Sequence, residues 1–262
     1  MFIMKKVFAI ALALILGLSC FAGCGNKDAS DMAAVKKAGK IVVGITDYAP
    51  MDYKDENGQW TGFDAEFAEA FAEELGVEVE FFVLSDWGKK FYELETKNID
   101  AVWNGMTITD EAKLNSNVSD PYVINAQVLV MKADVVDSYT DIESLSGLSF
   151  AVENGSAGQD ALDDAGITNY ITLQDQAAAL MEVAAGTSDA CVIDITMANA
   201  MTGEGTSYAD LAPGMSLTEE QYGVSFRKDS DLTAKFNEVM DQLMADGTLD
   251  ALAEKYGLTL VK

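Results

Sequence analysis

The sequence predicts an α/β protein made of two parallel-sheet lobes, and three observations carry that expectation. From Lys40 onward, short β-branched runs alternate with helical patterns, which implies parallel sheets with right-handed crossovers. The strands are too many for one small sheet. Only three prolines occur in 262 residues, so no flexible linker separates two independent domains and the lobes must be joined by strands.

The elements follow in order. "KIVVGIT" reads as a strand, "GFDAEFAEAFAEELG" as a helix and "VEVEFFV" as a second strand. Within the helix, Phe63, Phe67, Phe71 and Leu75 fall four apart on one stripe and form core; Asp64 is expected to cap the start and Gly76 to end it. A helix over 87–96, a strand over 99–103 and a strand over 127–131 come next. The pattern then restarts with "DIESLSG" as a short helix, "LSFAVE" as a strand, a glycine-bearing loop, a helix over 159–165, "YITL", a helix over 175–185, "DACVID" and a helix from about Thr196. "QYGVSFRK" reads as one strand. A helix with Leu232, Phe236, Val239, Met240 and Leu243 inside and a last helix ending at Tyr256 complete the chain, stopped by Gly247 and Gly257.

Composition narrows the function. A net charge of −26, from 43 acids against 17 bases, repels phosphate backbones and anionic headgroups, which argues against nucleic-acid binding or charge-driven membrane binding. The chain has no histidine, no setting for a nucleophilic cysteine and no metal-ligand cluster; neither an enzyme nor a bound cofactor is expected, and Asp194 with Glu153 is the only acid pair in view.

The amino terminus reads as an export signal: Lys5 and Lys6, the apolar run "VFAIALALILGL", then "FAGC". That run is short of the roughly 20 residues a spanning helix needs. "FAGC" resembles a bacterial lipobox with Phe21 in the usual leucine position, making Cys24 the lipidated first residue and residues 24–37 a tether. With Cys20 removed, Cys191 in "ACVID" is the last cysteine and is expected to be a buried small hydrophobe. The expected location is the outer face of the cell membrane, or the periplasmic side where there are two membranes.

Ligands of parallel α/β sheets sit beyond the carboxyl ends of the strands. Four loops there carry polar or aromatic residues: "TDYAPM", "NGMTIT", "ENGSAGQD" and "DITM". With "GFDAEFAEA", "IDAVWNGMTIT", "SDPY", "QYGVSFRK" and "ADGTL" in this order over residues 40–262, the chain resembles the extracellular solute-binding proteins, family 3, of polar amino-acid ABC importers. The resemblance implies a two-lobe, periplasmic-binding-protein-like fold, each lobe a mixed, mostly parallel sheet flanked by helices. It implies hinge strands at about 128–131 and 222–226, lobe 1 from 38–129 plus 225–262, and lobe 2 from 130–224.

It also implies a monomer that closes on a small polar ligand and delivers it to a membrane permease with an ATPase partner. By position, Asn104, Gly105, Met106 and Thr107 would contact the ligand from lobe 1 and Ser156 and Ala157 from lobe 2. Asp194 would take its ammonium, with Asp47 nearby and Tyr48 and Trp87 as aromatic walls. The same residues have plainer readings: Thr107, Thr109, Ser156 and Asp194 as helix caps, and Asp47 and Glu153 as solvated loop acids. Trp103 is wall or core.

One position departs from the pattern. The family's carboxylate-binding arginine, in the first turn after "T-I-T", is Ala112 here, and the only arginine, Arg227, falls outside the expected pocket. Lys113 is about 100° further round the helix and is expected to face solvent. The ligand is therefore an amino acid held by amides, Thr107 and Ser156, or a carboxylate-free amine held by acids and aromatic rings. A dehydratase-like enzyme or a sensor on the same fold is the reading from another class.

Overall fold

The computed structural model describes residues 30–262. The export signal and the lipobox with Cys24 lie outside the described residues. Of the expected tether, Asp31–Ala38 is a helix, α1, whose Val35 is buried in the core. Arg227 fixes it: the guanidinium donates to Asp31 Oδ2 at 3.0 Å and to Asp100 Oδ1 at 2.8 Å, tying the helix start to lobe 1.

Lobe 1 is built on a five-stranded sheet of order β4-β1-β5-β14-β6, where β1 is Lys40–Ile45, β4 Glu78–Val83, β5 Ala101–Val102, β6 Asn117–Val118 and β14 Ser225–Phe226. β1 pairs in parallel with β4 and β5, in the register Lys40↔Glu78 to Ile45↔Val83 with the former, whereas β14 runs antiparallel to β5 and β6. The small hairpin β2 (Tyr53–Lys54) and β3 (Trp60–Thr61) leads into α2 (Phe63–Leu75). There the four-residue spacing holds: Phe63, Phe67, Phe71 and Leu75 are all buried. Phe67 meets Trp103 edge-on, with Phe236 from α8 (Leu232–Ala245) against both, so Trp103 is core. Truncating such a ring costs about 3–5 kcal/mol.

Helix α2 ends at Gly76 as expected, in the left-handed region, but its start differs. The cap position is Gly62, where a Cβ would lie 2.2 Å from the Met51 carbonyl oxygen, so only glycine fits. Asp64 makes no cap; its buried carboxylate accepts from the Gly105 N–H at 2.6 Å and from the Tyr122 hydroxyl at 2.9 Å. The expected helix over 87–96 is a 3₁₀ turn, Trp87–Lys89, followed by α3 (Lys90–Glu95). After β5 comes the short α4 (Asp110–Asn115).

Lobe 2 has a five-stranded sheet of order β10-β9-β11-β8-β12, from β8 (Gln127–Lys132), β9 (Phe150–Glu153), β10 (Tyr170–Leu173), β11 (Ala190–Asp194) and β12 (Leu211–Ser216). Helices α5 (Ala157–Asp164), α6 (Gln176–Ala185) and α7 (Ile195–Met201) connect them. β9, β10 and β11 are parallel, and β8 runs antiparallel between β11 and β12. β12 has no counterpart in the sequence reading because Pro213 and Gly214 interrupt its pattern; the proline sits on an edge strand, where a missing donor is tolerated. "DIESLSG" forms only a 3₁₀ turn, Glu143–Leu145. Cys191 is buried, and burial raises its thiol.

The lobe connections differ from the expected hinges. Residues 128–131 lie inside β8, wholly within the lobe 2 sheet, and "QYGVSFRK" splits into β13 (Glu220–Tyr222) and β14. The connecting ribbon is β7 (Val123–Asn125) paired antiparallel with β13, in the register Glu220↔Asn125 to Tyr222↔Val123. The carboxyl terminus, beyond α9 (Thr248–Tyr256), adds a bridge from Leu260 to Val123. Hydrophobicity cannot separate a buried sheet strand from a buried hinge strand, so the first hinge lies one strand earlier than expected, whereas Tyr222 of the second does lie in the ribbon.

Candidate functional site

The strand ends of both sheets face one narrow cleft. Lobe 1 contributes Tyr48, Trp87, Lys90, Asn104, Gly105, Met106, Thr107, Thr109, Glu111 and Ala112; Gln127, Glu153, Gly155, Ser156, Ala157, Asp160, Gln176 and Asp194 face them. Nine of the ten residues expected from sequence meet here. Asp47 does not: it is an exposed residue outside the lining, where partial burial and Asp175 raise its carboxyl.

Several expected contacts have their polar atoms committed within the chain. Asn104 accepts from the Thr46 N–H at 2.9 Å and donates to Asp52 at 2.8 Å, clipping two loops together. The Gly105 N–H points at Asp64; its φ is +55°, and a Cβ there would sit 2.5 Å from the Tyr48 ring, so glycine is required twice over. Thr107 Oγ1 donates to Glu220 at 2.8 Å. Thr109 caps α4 through the Ala112 N–H, and Ser156 caps α5 through the Gln159 N–H. Ser156 and Thr109 thus combine the capping role with a place in the cleft wall.

Asp194 is different. It occupies the cap position of α7 but makes no cap bond. Its carboxylate is buried and accepts from Gln127 Nε2 at 2.9 Å, from the Tyr222 hydroxyl at 2.7 Å, and from the side-chain amides of Asn125 and Gln176. Burial, then the nearby Glu220 carboxylate, push it up to about 7 against these donors. The Tyr48 hydroxyl joins the network from lobe 1, 2.6 Å from Thr196 Oγ1 and 2.5 Å from the Tyr222 hydroxyl. Asn125 and Gln127 also donate to Glu220 at 2.6 and 2.8 Å, so one set of amides serves two carboxylates. Sequence reasoning missed this set, although Asn125 and Gln127 show a signal: two polar side chains two apart within the apolar run "YVINAQVLV".

Away from β7 and β13, the segment after β4 meets the loop after β9. Asn154 donates to Asp86 at 2.9 Å, and Gly155, at φ +68°, lies so near Gly88 that a Cβ on it would stand 2.6 Å from the Gly88 Cα. Glu153, expected to be a solvated loop acid, is buried in the cleft; burial first, then Asp194 and Asp175, raise its carboxyl well above the ordinary range. One of its oxygens has no hydrogen-bond partner. Lys90 is the other missed residue. Its sequence signal is helical spacing: it shares a buried face with Trp87 and Leu94, while its neighbour Lys89 is exposed.

Comparison with known proteins places this arrangement. Residues 41–259 match the bacterial extracellular solute-binding proteins, family 3. The probable amino-acid-binding protein YxeM of Bacillus subtilis is 32% identical over 260 residues, covering 97% of this chain and 95% of that one. Among solved structures, a variant of ArgBP from T. maritima superposes with a TM-score of 0.80 at 33% identity, over 86% of this chain and 98% of its own. The ancestral amino acid-binding protein AncCDT-1, a precursor of cyclohexadienyl dehydratase, gives 0.79 at 35% identity, over 87% and 99%.

Proposed function

The chain belongs to the bacterial extracellular solute-binding proteins, family 3, and from that premise we propose that it captures a small polar amino acid between its lobes and delivers it to an ABC importer. The observation that carries the reading is Asp194: a buried carboxylate in the interlobe cleft, oriented through both oxygens, suits a ligand ammonium. Four carboxylates line the cleft against the one ammonium of Lys90, which favours a ligand with a cationic or neutral polar side chain. ArgBP from T. maritima, structurally similar to this chain, is arginine-bound in one of its structures.

Closure drives capture, because ligand contacts from Tyr48 and Trp87 on one side and Asp194 on the other form together only when the lobes meet. No chemistry is assigned to the chain. It works as a monomer, held at the outer membrane face by lipid on Cys24. A calorimetric and thermal-shift screen of the purified protein against the standard amino acids and small amines tests the reading. At least one amino acid is expected to raise the unfolding temperature, by the equivalent of about 2.7 kcal/mol at a hundred times its Kd. A screen in which none does so defeats it, and turnover of a bound compound, lost in Asp194→Asn, would establish the dehydratase-like alternative. A second reading, a carboxylate-free amine, is favoured by one observation, Ala112 at the family's arginine position. Labelling with palmitate, abolished in Cys24→Ser, tests the anchor.

A further inference from the structure

The cleft lacks an arginine yet holds a buried cation. Lys90 is only 6% exposed, and its side chain lines the same cavity as Ala112, Thr109 and Ser156. Its ammonium donates to the Gly155 carbonyl at 3.0 Å and, at 3.5 Å, to the Trp87 carbonyl, and it lies 5.0 Å from the centre of the Trp87 ring and 4.9 Å from that of Phe91. None of the ion pairs among the described residues includes it. Glu111, Glu153, Asp160 and Asp86 act on it only through space, and burial outweighs them, holding its pKa below the ordinary lysine range.

An ammonium has three donors and no acceptor, and taking it out of water without an anion is costly. A simple packing role would be met by methionine or leucine without that cost. The carbonyls and the two aromatic rings hold the charge in place on the cleft wall but leave it without an ion-paired partner of opposite charge.

We propose that Lys90 is the carboxylate-recognising cation of this cleft, serving from helix α3 the role for which Ala112 offers only a methyl group. The inference rests on the solute-binding reading and sharpens it: the ligand carries a carboxylate as well as an ammonium, and is an amino acid rather than its amine. Recognition by lysine is by point charge, without the bidentate fork of arginine, so the carboxylate is positioned less strictly. Because Lys90 sits in lobe 1 and its carbonyl partner Gly155 in lobe 2, the cation is set in place by closure itself.

The test compares each standard amino acid with its decarboxylated amine, beginning with L-arginine against agmatine and L-lysine against cadaverine, by calorimetry on the wild type, Lys90→Met and Lys90→Arg. The wild type is expected to prefer the amino acid of the bound pair by about tenfold or more, the scale of one hydrogen bond to a charged group. Lys90→Met is expected to weaken the amino acid about tenfold more than its amine, and Lys90→Arg, which keeps the charge, to retain the preference. If the wild type binds the amine as tightly as the amino acid, the amino-acid reading falls together with the lysine's role. If the wild type prefers the amino acid and Lys90→Met, checked for folding by its unfolding temperature, keeps that preference, only the lysine's assignment is overturned. Should Lys90→Met fail to fold, Lys90→Gln, which also removes the charge, takes its place: loss of the preference supports the assignment and retention overturns it.

Discussion

The side of the cleft next to the hinge strands and the side at its mouth are built to different degrees of completion. Next to β7 and β13, both oxygens of Asp194 are met by donors, and Tyr48, Thr196 and Tyr222 close a ring of hydroxyls beside it. At the mouth, Lys90 hydrogen-bonds only to carbonyls and Glu153 keeps an oxygen without a hydrogen bond. The first arrangement holds its side chains in place within the chain, so on the proposed reading a ligand ammonium would find its partner already oriented, without the cost of ordering those side chains. The second is assembled by the approach of two backbones, at Gly88 and Gly155, and is completed by what lies between them.

This contrast can be broken at three places. The largest effect is expected from Asp194→Asn, which leaves the converging amides without a charge to serve; calorimetry should show amino-acid affinity falling on the order of 100-fold or more, since breaking a buried charge pair costs about 3–5 kcal/mol. A loss under about tenfold would mean that the ligand ammonium is held elsewhere and that the hinge side is only structural.

Gly155→Ala separates folding from closure. The left-handed backbone at residue 155 strains an alanine in the open and the closed forms alike and lowers the unfolding temperature. The collision with the Gly88 Cα arises only when the lobes meet, and at about 2 kcal/mol for an overpacked contact it should weaken binding about thirtyfold. Small-angle scattering at saturating ligand should then report a larger radius of gyration than for the wild type. An unchanged affinity would place the mouth contact outside the closing motion.

The third effect is on pH. Asp194 and Asp64 are both pushed up to about 7, chiefly by burial, so over the window from the ordinary aspartate range near pH 4 to about pH 7 the folded protein binds more protons than the unfolded one. Their contribution to stability therefore falls as pH rises through that window. Ligand binding has the opposite sign at Asp194: an ammonium needs the ionised form, so affinity should rise about tenfold between pH 6 and pH 8, with release of up to about one proton. Calorimetry in buffers of different ionisation enthalpy measures that release. No linked proton, with a flat affinity, would mean that the hinge-side network keeps Asp194 ionised whether or not the cleft is filled.

Much of the fold was legible from local pattern, because the physics involved is local. The four-residue spacing of Phe63, Phe67 and Phe71, and the glycines at 76 and 257, needed no knowledge of neighbours. The strands Tyr170–Leu173 and Ala190–Asp194 were clear for the same reason, as β-branched runs between helices. The first hinge strand was not legible: residues 123–132 pass from the ribbon into the lobe 2 sheet within one apolar stretch, and only pairing partners distinguish the two parts. At the site, loop residues were found because they follow strands, whereas Lys90 and Gln176 lie at helix starts, and their places in the cleft are set by distant partners, the Gly155 carbonyl and Asp194 respectively. Asp64 shows the same limit, since a carboxylate at a helix start reads as a cap until the Gly105 N–H is seen to approach it from another loop.

By itself, the sequence determined the family, the α/β alternation and the loops that line the cleft, since these depend on residue order and short-range periodicity. It also carries Ala112 where the family resemblance implies an arginine. Only the tertiary structure decided where a cation returns to the cleft, which strands carry the hinge, and how Asp194 is held. Those properties arise from burial and from partners far apart in the chain, 18 residues between Asp194 and Gln176 and 148 between Tyr48 and Thr196, and burial is not a property of any one stretch of chain.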